Sequence, residues 1–176
     1  MFRIIILLIL INLVNSTLPN APQTQGFLNA HNSYRTHVYP PAKYMPLLIW
    51  SNPLASSSNN WTNKCLWGHS RTPHVGENIY ATSVRTPNST KFNPIPVVVA
   101  WGSEYQYYNY WNNTCQTGKV CGHYTQIIWA NTSYLGCSFK DCPTIQGIPW
   151  PNGGTLVTCQ YYPQGNWVGQ RPYVQK

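Results

Sequence analysis

The chain has 176 residues, 43% apolar and 14% aromatic, enough to close one ordinary core and to exclude a disordered chain. Charged residues make up only 8%, and 11 Lys and Arg against 3 Asp and Glu give a net charge of +8. The bases stand singly, as at Lys43, Lys64, Arg71 and Lys119, and lack the stripe that following a phosphate backbone requires, which argues against a nucleic-acid partner.

Met1 to Arg3 form a short positive start, and Ile4 to Val14 an apolar run broken only by Asn12. With small Ser16 beyond it, the segment 1–16 reads as a secretory signal peptide and 17–176 as a single domain, its core running from about Thr24 to Tyr173. No run approaches the roughly 20 apolar residues that span a bilayer, so the reading is a secreted, extracellular monomer without stable membrane insertion.

A first helix is predicted after Pro22, because Phe27, His31, Tyr34 and Val38 recur at helical spacing, and Pro40-Pro41 stops it. Pro46 to Trp50 reads as extended. Asn52 is expected to cap a second helix with Pro53 in its first turn and Leu54, Ser58, Trp61 and Cys65 facing inward. The stretch from Trp67 to Asn93 reads as loop. Pro94 and Pro96 introduce a third helix with Val97, Trp101, Glu104 and Tyr108 on one face, and a fourth spans about Gly122 to Trp129. Tyr134 to Lys140 and Thr155 to Tyr162 carry strand chemistry and are joined by a Pro/Gly-rich loop, so the fold class is α+β.

Six cysteines, Cys65, Cys115, Cys121, Cys137, Cys142 and Cys159, fit three disulfides in an oxidising compartment, with fifteen pairings open to the sequence. Sequons at Asn60, Asn88, Asn112 and Asn131 are candidate glycosylation sites. The acids are Glu77, Glu104 and Asp141. Glu104 falls on an apolar helical face, where a carboxylate needs a partner, and His69, Glu77 and His123 are candidates to converge with it. Two imidazoles and two carboxylates suit Zn²⁺, but the closely spaced histidine pair of a metallopeptidase helix is absent; the competing reading is a hydrogen-bonded polar network.

The strings Cys65-Leu66-Trp67-Gly68-His69-Ser70, Gly76-Glu77-Asn78-Ile79-Tyr80, Cys121-Gly122-His123-Tyr124-Thr125-Gln126-Ile127-Ile128-Trp129, Leu135-Gly136-Cys137 and Cys159-Gln160-Tyr161-Tyr162-Pro163-Gln164-Gly165-Asn166-Trp167 resemble the signature blocks of one superfamily. It comprises cysteine-rich secretory proteins, antigen 5 and pathogenesis-related 1 proteins. The ending Gly169-Gln170-Arg171-Pro172-Tyr173 resembles the plant pathogenesis-related 1 branch. The resemblance implies an α-β-α sandwich with a central antiparallel sheet and a cleft tetrad at His69, Glu77, Glu104 and His123, with Zn as its possible metal. It also implies bridges Cys65 to Cys142, Cys115 to Cys121 and Cys137 to Cys159. Two departures stand out: Gln160 replaces the usual Asn, and Val174-Gln175-Lys176 extends past the usual final Tyr.

Aromatic residues crowd Trp101 to Trp111, and a Trp/Tyr line at helical spacing is most often core. The resemblance implies a small lipid or sterol as ligand. Tyr107, Tyr110 and Trp111 are the candidate lipid-binding residues, with Tyr107 and Tyr110 expected off the buried face. The function read from the sequence is a secreted, non-enzymatic, lipid-binding protein acting in defence or in interaction with another organism. Its rivals are a zinc hydrolase or a glycosidase using the tetrad, and a precursor that releases a C-terminal signalling peptide.

Overall fold

The structure, a computed structural model, describes residues 18–176. The expected signal peptide at 1–16 lies outside the described residues.

Helix α1, Ala21–Thr36, opens on a reciprocal cap: the Asn20 side chain accepts from the Gln23 backbone N–H and the Gln23 side chain from that of Asn20, both at 3.0 Å. Its buried line is Gln23, Phe27, His31 and Arg35. Phe27 and His31 are therefore inward as expected, while Tyr34 and Val38 flank that line half-buried. After the short strand β1, Ile49–Trp50, helix α2 spans Asn52–Thr62. Its cap is Ser51, one residue before the expected Asn52, because Ser51 holds the extended backbone and its hydroxyl accepts from Leu54 N–H. The buried line of α2 is Ala55, Ser58 and Thr62, not Leu54, Trp61 and Cys65. The helix turns its small side chains inward because it lies directly on a sheet strand at Gly136, where a Cβ would run into the backbone of Leu54 and Ala55.

The expected loop from Trp67 to Asn93 contains a strand, β2, Gly76–Thr82. Helix α3, Ile95–Gly102, is shorter than the expected face; Val97 and Trp101 of that face are buried, together with Val98 and Gly102. At Gly102 the chain tightens into a 3₁₀ segment, Ser103–Tyr107, so Glu104 sits beyond the α-helix. A small hairpin pairs β3, Tyr108–Asn109, with β4, Thr114–Cys115. Helix α4, Gly122–Ile127, ends before the expected Trp129, and β5, Tyr134–Cys142, and β6, Gly154–Tyr162, complete the chain.

The main sheet has the order β1-β5-β6-β2. It is antiparallel except at β1, which runs parallel to β5, so the sheet is mixed at that edge. Side chains alternate across it. Leu135, Cys137, Phe139, Val157, Cys159 and Tyr161 enter the main core with Phe27, Val98, Trp101 and Ile127 from α1, α3 and α4. The opposite face packs on α2, where the Ser58 hydroxyl donates to the Gly136 carbonyl. Helices thus cover both faces, giving an α-β-α sandwich. The bridges Cys65–Cys142, Cys115–Cys121 and Cys137–Cys159 are all formed, and the last joins register partners of β5 and β6. No helix among the described residues is long and apolar enough to cross a membrane.

Candidate functional site

Strand β2 places Glu77 opposite Gln160 of β6. The carboxylate accepts from four groups: His69 Nδ1 at 3.0 Å, Ser70 N–H at 2.8 Å, the Ser70 hydroxyl at 2.5 Å and Gln160 Nε2 at 3.0 Å. Burial pushes the Glu77 carboxyl up, but the donors from His69, Gln160 and Ser70 together outweigh it and hold it below the ordinary carboxylate range. Gln160, the departure noted in the sequence, is long enough to reach this carboxylate while also donating to Ser70 Oγ at 3.1 Å.

The second pair is built at the start of α4. Glu104, from the 3₁₀ segment, accepts from His123 Nδ1 at 2.6 Å and from the backbone N–H groups of His123 and Tyr124 at 3.0 and 3.1 Å. It therefore satisfies helix-terminal donors as well as the imidazole, the arrangement expected of a carboxylate at a helix N-terminus. The His123 ring stacks on Trp101, with centroids 6.1 Å apart and planes at 15°. Asn78, the neighbour of Glu77, donates to the His123 carbonyl at 3.0 Å, so both pairs meet the same end of β2.

The four expected residues are thus brought together as two His–Glu pairs. A cavity of about 230 Å³ is lined by His69, Ser70, Glu77, Gln126, Gln164 and Asn166, among others, but not by Glu104 or His123. Among the described residues no group of three or more His, Cys, Asp and Glu is arranged to hold a metal ion. In each pair the carboxylate meets its imidazole at Nδ1, which leaves Nε2 as the ring nitrogen facing away from that contact. Ser70 and Asn78 were not among the expected site residues, and Gln160 stood out in the sequence only as a departure, without its partner. The cross-strand pairing of Glu77 with Gln160 is the signal that would have found Gln160, and it required β2.

The three candidate lipid-binding residues separate. Tyr110, expected off the buried face, is only 7% exposed, stacks on Tyr173 with centroids 4.7 Å apart and donates its hydroxyl to the Tyr173 carbonyl. It is core. Tyr107 lies under Lys119, whose Nζ is 4.8 Å from the ring centroid. Trp111, 58% exposed, lines a groove of about 530 Å³ together with Tyr110, Gln170, Arg171, Tyr173 and Val174. The sequon residues Asn60, Asn88, Asn112 and Asn131 are all exposed.

The cysteine-rich secretory protein family, CAP, matches residues 28–161. The chain belongs to this family. Its CAP relatives come from animals and plants: it is 37% identical over 161 residues to the GLIPR1-like protein 1 of Mus musculus, covering 85% of this chain and 63% of that protein. Against the pathogenesis-related protein PR-1 of Medicago truncatula it is 39% identical over 130 residues, covering 72% of this chain and 68% of that one. It spans 29% of the mouse peptidase inhibitor 16, at 37% identity over 86% of its own length. Among solved CAP structures, Na-ASP-1 superposes with a TM-score of 0.73 at 26% identity, over 92% of this chain and 44% of that chain. NaASP2, solved with Zn²⁺, shares the fold at a TM-score of 0.69 and 23% identity, over 92% of this chain and 90% of that chain.

Proposed function

We propose that the protein is a secreted, non-enzymatic CAP protein that binds a sterol or comparable small lipid in defence or in interaction with another organism. The observation that carries this reading is the groove beside Trp111. An indole more than half exposed stands next to the buried Tyr110–Tyr173 stack and to Val174, itself 70% exposed, while Gln170 and Arg171 supply hydrogen-bonding groups on the same wall. Such a surface suits a ligand with a large apolar body and one hydroxyl. Secretion is supported by the signal-like start and the three bridges. A non-enzymatic role is supported by the commitment of Glu77 and Glu104, which spend their oxygens on imidazole, backbone and hydroxyl donors. Zn²⁺ enters the proposal only through Nε2 of His69 and His123, each ring being oriented by a carboxylate at Nδ1 as in carboxylate–histidine–metal sites.

Native mass spectrometry of the secreted protein, with lipid extraction and metal analysis, tests the reading. A co-purifying or added sterol should be retained, and Trp111→Ser should weaken its binding about fivefold (~1 kcal/mol) with little change in melting temperature. Tyr110→Ser is the wrong probe, because it opens the core. Wild-type protein that retains no sterol, or a Trp111→Ser variant that binds it equally well, refutes the lipid reading. Cleavage of a peptide or glycan that Glu104→Gln abolishes would put the enzyme reading in its place.

A further inference from the structure

A second cavity, of about 460 Å³, is lined only by aromatic side chains: Tyr34, His37, Tyr39, Tyr105, Tyr108 and Tyr124. It shares no lining residue with the groove beside Trp111. We propose that this cavity is an aromatic cage for a quaternary ammonium group of the choline type.

Three of the rings stand steeply on a fourth rather than stacking on it. Tyr34, Tyr105 and Tyr108 meet the Tyr124 ring at 76°, 62° and 61°, with centroids 6.5, 6.3 and 6.1 Å away. Walls standing steeply on a common floor are what presents several π faces to one guest, and a cation over such faces is attracted by the ring quadrupoles. The walls are fixed from different elements. Tyr34 comes from α1 and lies against α3 at Gly102, where a Cβ would collide with its ring. Tyr108 donates its hydroxyl to Asn113 Oδ1 at 2.7 Å, and Tyr124 is a core residue of α4.

The charge of the lining selects the class of cation. No Asp, Glu, Lys or Arg lines the cavity. Burial and neighbouring phenols push Tyr124 up to about 12, burial pushes Tyr108 up to about 12, and burial raises Tyr34 too, so these three phenols stay neutral. A strongly hydrated ion such as ammonium or Na⁺ would lose its water with no carboxylate to compensate. A tetraalkylammonium is weakly hydrated, spreads its charge over methyl groups and gains both apolar burial and the π attraction. The same stretch of sequence already uses tyrosine faces in this way, with Lys119 over Tyr107 and the Arg171 guanidinium 5.7 Å from the Tyr110 centroid. Among the described residues neither base covers the cage: Arg171, whose charge is felt at Tyr108, is held by the carbonyls of Tyr110 and Trp111.

The inference does not rest on the sterol reading, and a failure to bind sterol leaves it standing. Calorimetric and NMR titrations should compare choline with 3,3-dimethylbutan-1-ol, which has the same shape without the charge. Choline should bind about tenfold tighter and perturb the tyrosine ring signals. Tyr105 is 60% exposed, so Tyr105→Leu should leave the fold intact, weaken choline about fivefold and leave the alcohol unaffected, whereas Tyr105→Phe should retain choline. Phosphatidylcholine vesicles that compete with free choline would identify a lipid head group as the source of the cation; vesicles that do not compete would identify a soluble one. Equal affinities for choline and its neutral isostere, no saturable choline binding, or a Tyr105→Leu variant with unchanged choline affinity overturns the proposal.

Discussion

At the scale of single residues, the side chains that sequence reasoning treats as ordinary helix surface or core turn out to be polar anchors. His31 is fully buried and donates from Nδ1 to the Phe27 carbonyl at 2.7 Å, which leaves Nε2 to accept the Tyr161 hydroxyl at 2.8 Å. Tyr161 in turn accepts from Asn78, which also holds the His123 carbonyl, so a hydrogen-bonded chain runs from α1 through the sheet to the start of α4. Arg35, 1% exposed, was not expected inside. Its guanidinium spans the carbonyls of Pro46, Ile127, Trp129 and Thr132, and burial pulls it down to about 10, still charged at neutral pH. Helical spacing placed His31 correctly because period is visible in sequence. Arg35 was invisible because three of its four carbonyl partners lie 92 to 97 residues away. Burial lowers the His31 imidazole from 6.5 to about 4. Between these values the unfolded chain binds the proton and the folded one does not, so stability is complete above about pH 6.5 and falls as pH drops towards 4. Urea unfolding should show a loss of about 2 kcal/mol between pH 7 and pH 5 that His31→Gln flattens. An unchanged slope in the variant would mean that His31 is not the neutral partner of Tyr161.

At the scale of elements, the legible parts were those with a strong local signal. The helix starts are marked by Pro and polar caps, β5 by its aromatic and apolar residues and β6 by β-branched and aromatic ones; all of these appear within a few residues of expectation. Strand β2 was hidden for a physical reason. Gly76, Glu77 and Asn78 are poor strand formers taken alone, and they are extended as part of a strand with seven register partners on β6. The third helix failed differently, because the apolar period ran on through Gly102 while the backbone tightened there. That change moved Glu104 off the helix and onto the donors of α4, so the carboxylate has its partners although it is not α-helical. The inward face of α2 is set by Gly136. Gly136→Ala should therefore push α2 off the sheet and lower stability by ~2 kcal/mol, read as a shift in denaturant midpoint. An unshifted midpoint would show that α2 does not rest on β5 at this point.

For the whole molecule, two of the three bridges divide the work of holding the sandwich from that of holding the site. Cys65–Cys142 closes 77 residues and joins the end of α2 to the end of β5, beside the small core of Ile145 and Leu156. Cys115–Cys121 closes only 6 residues and ties the β3–β4 hairpin to the residue that precedes α4, two before His123. By loop-closure entropy the first should contribute about 4.5 kcal/mol and the second about 2. Replacing Cys65 and Cys142 together by Ala should then lower the melting temperature the more. Replacing Cys115 and Cys121 should cost less globally but free the start of α4, where Glu104 holds His123. Histidine ring NMR signals would separate the two effects, since only the second variant should shift His123 while the rest of the spectrum stays folded. The reverse pattern, with the short bridge dominating the melting temperature, would mean that native-state packing around the hairpin outweighs the entropy of the unfolded chain.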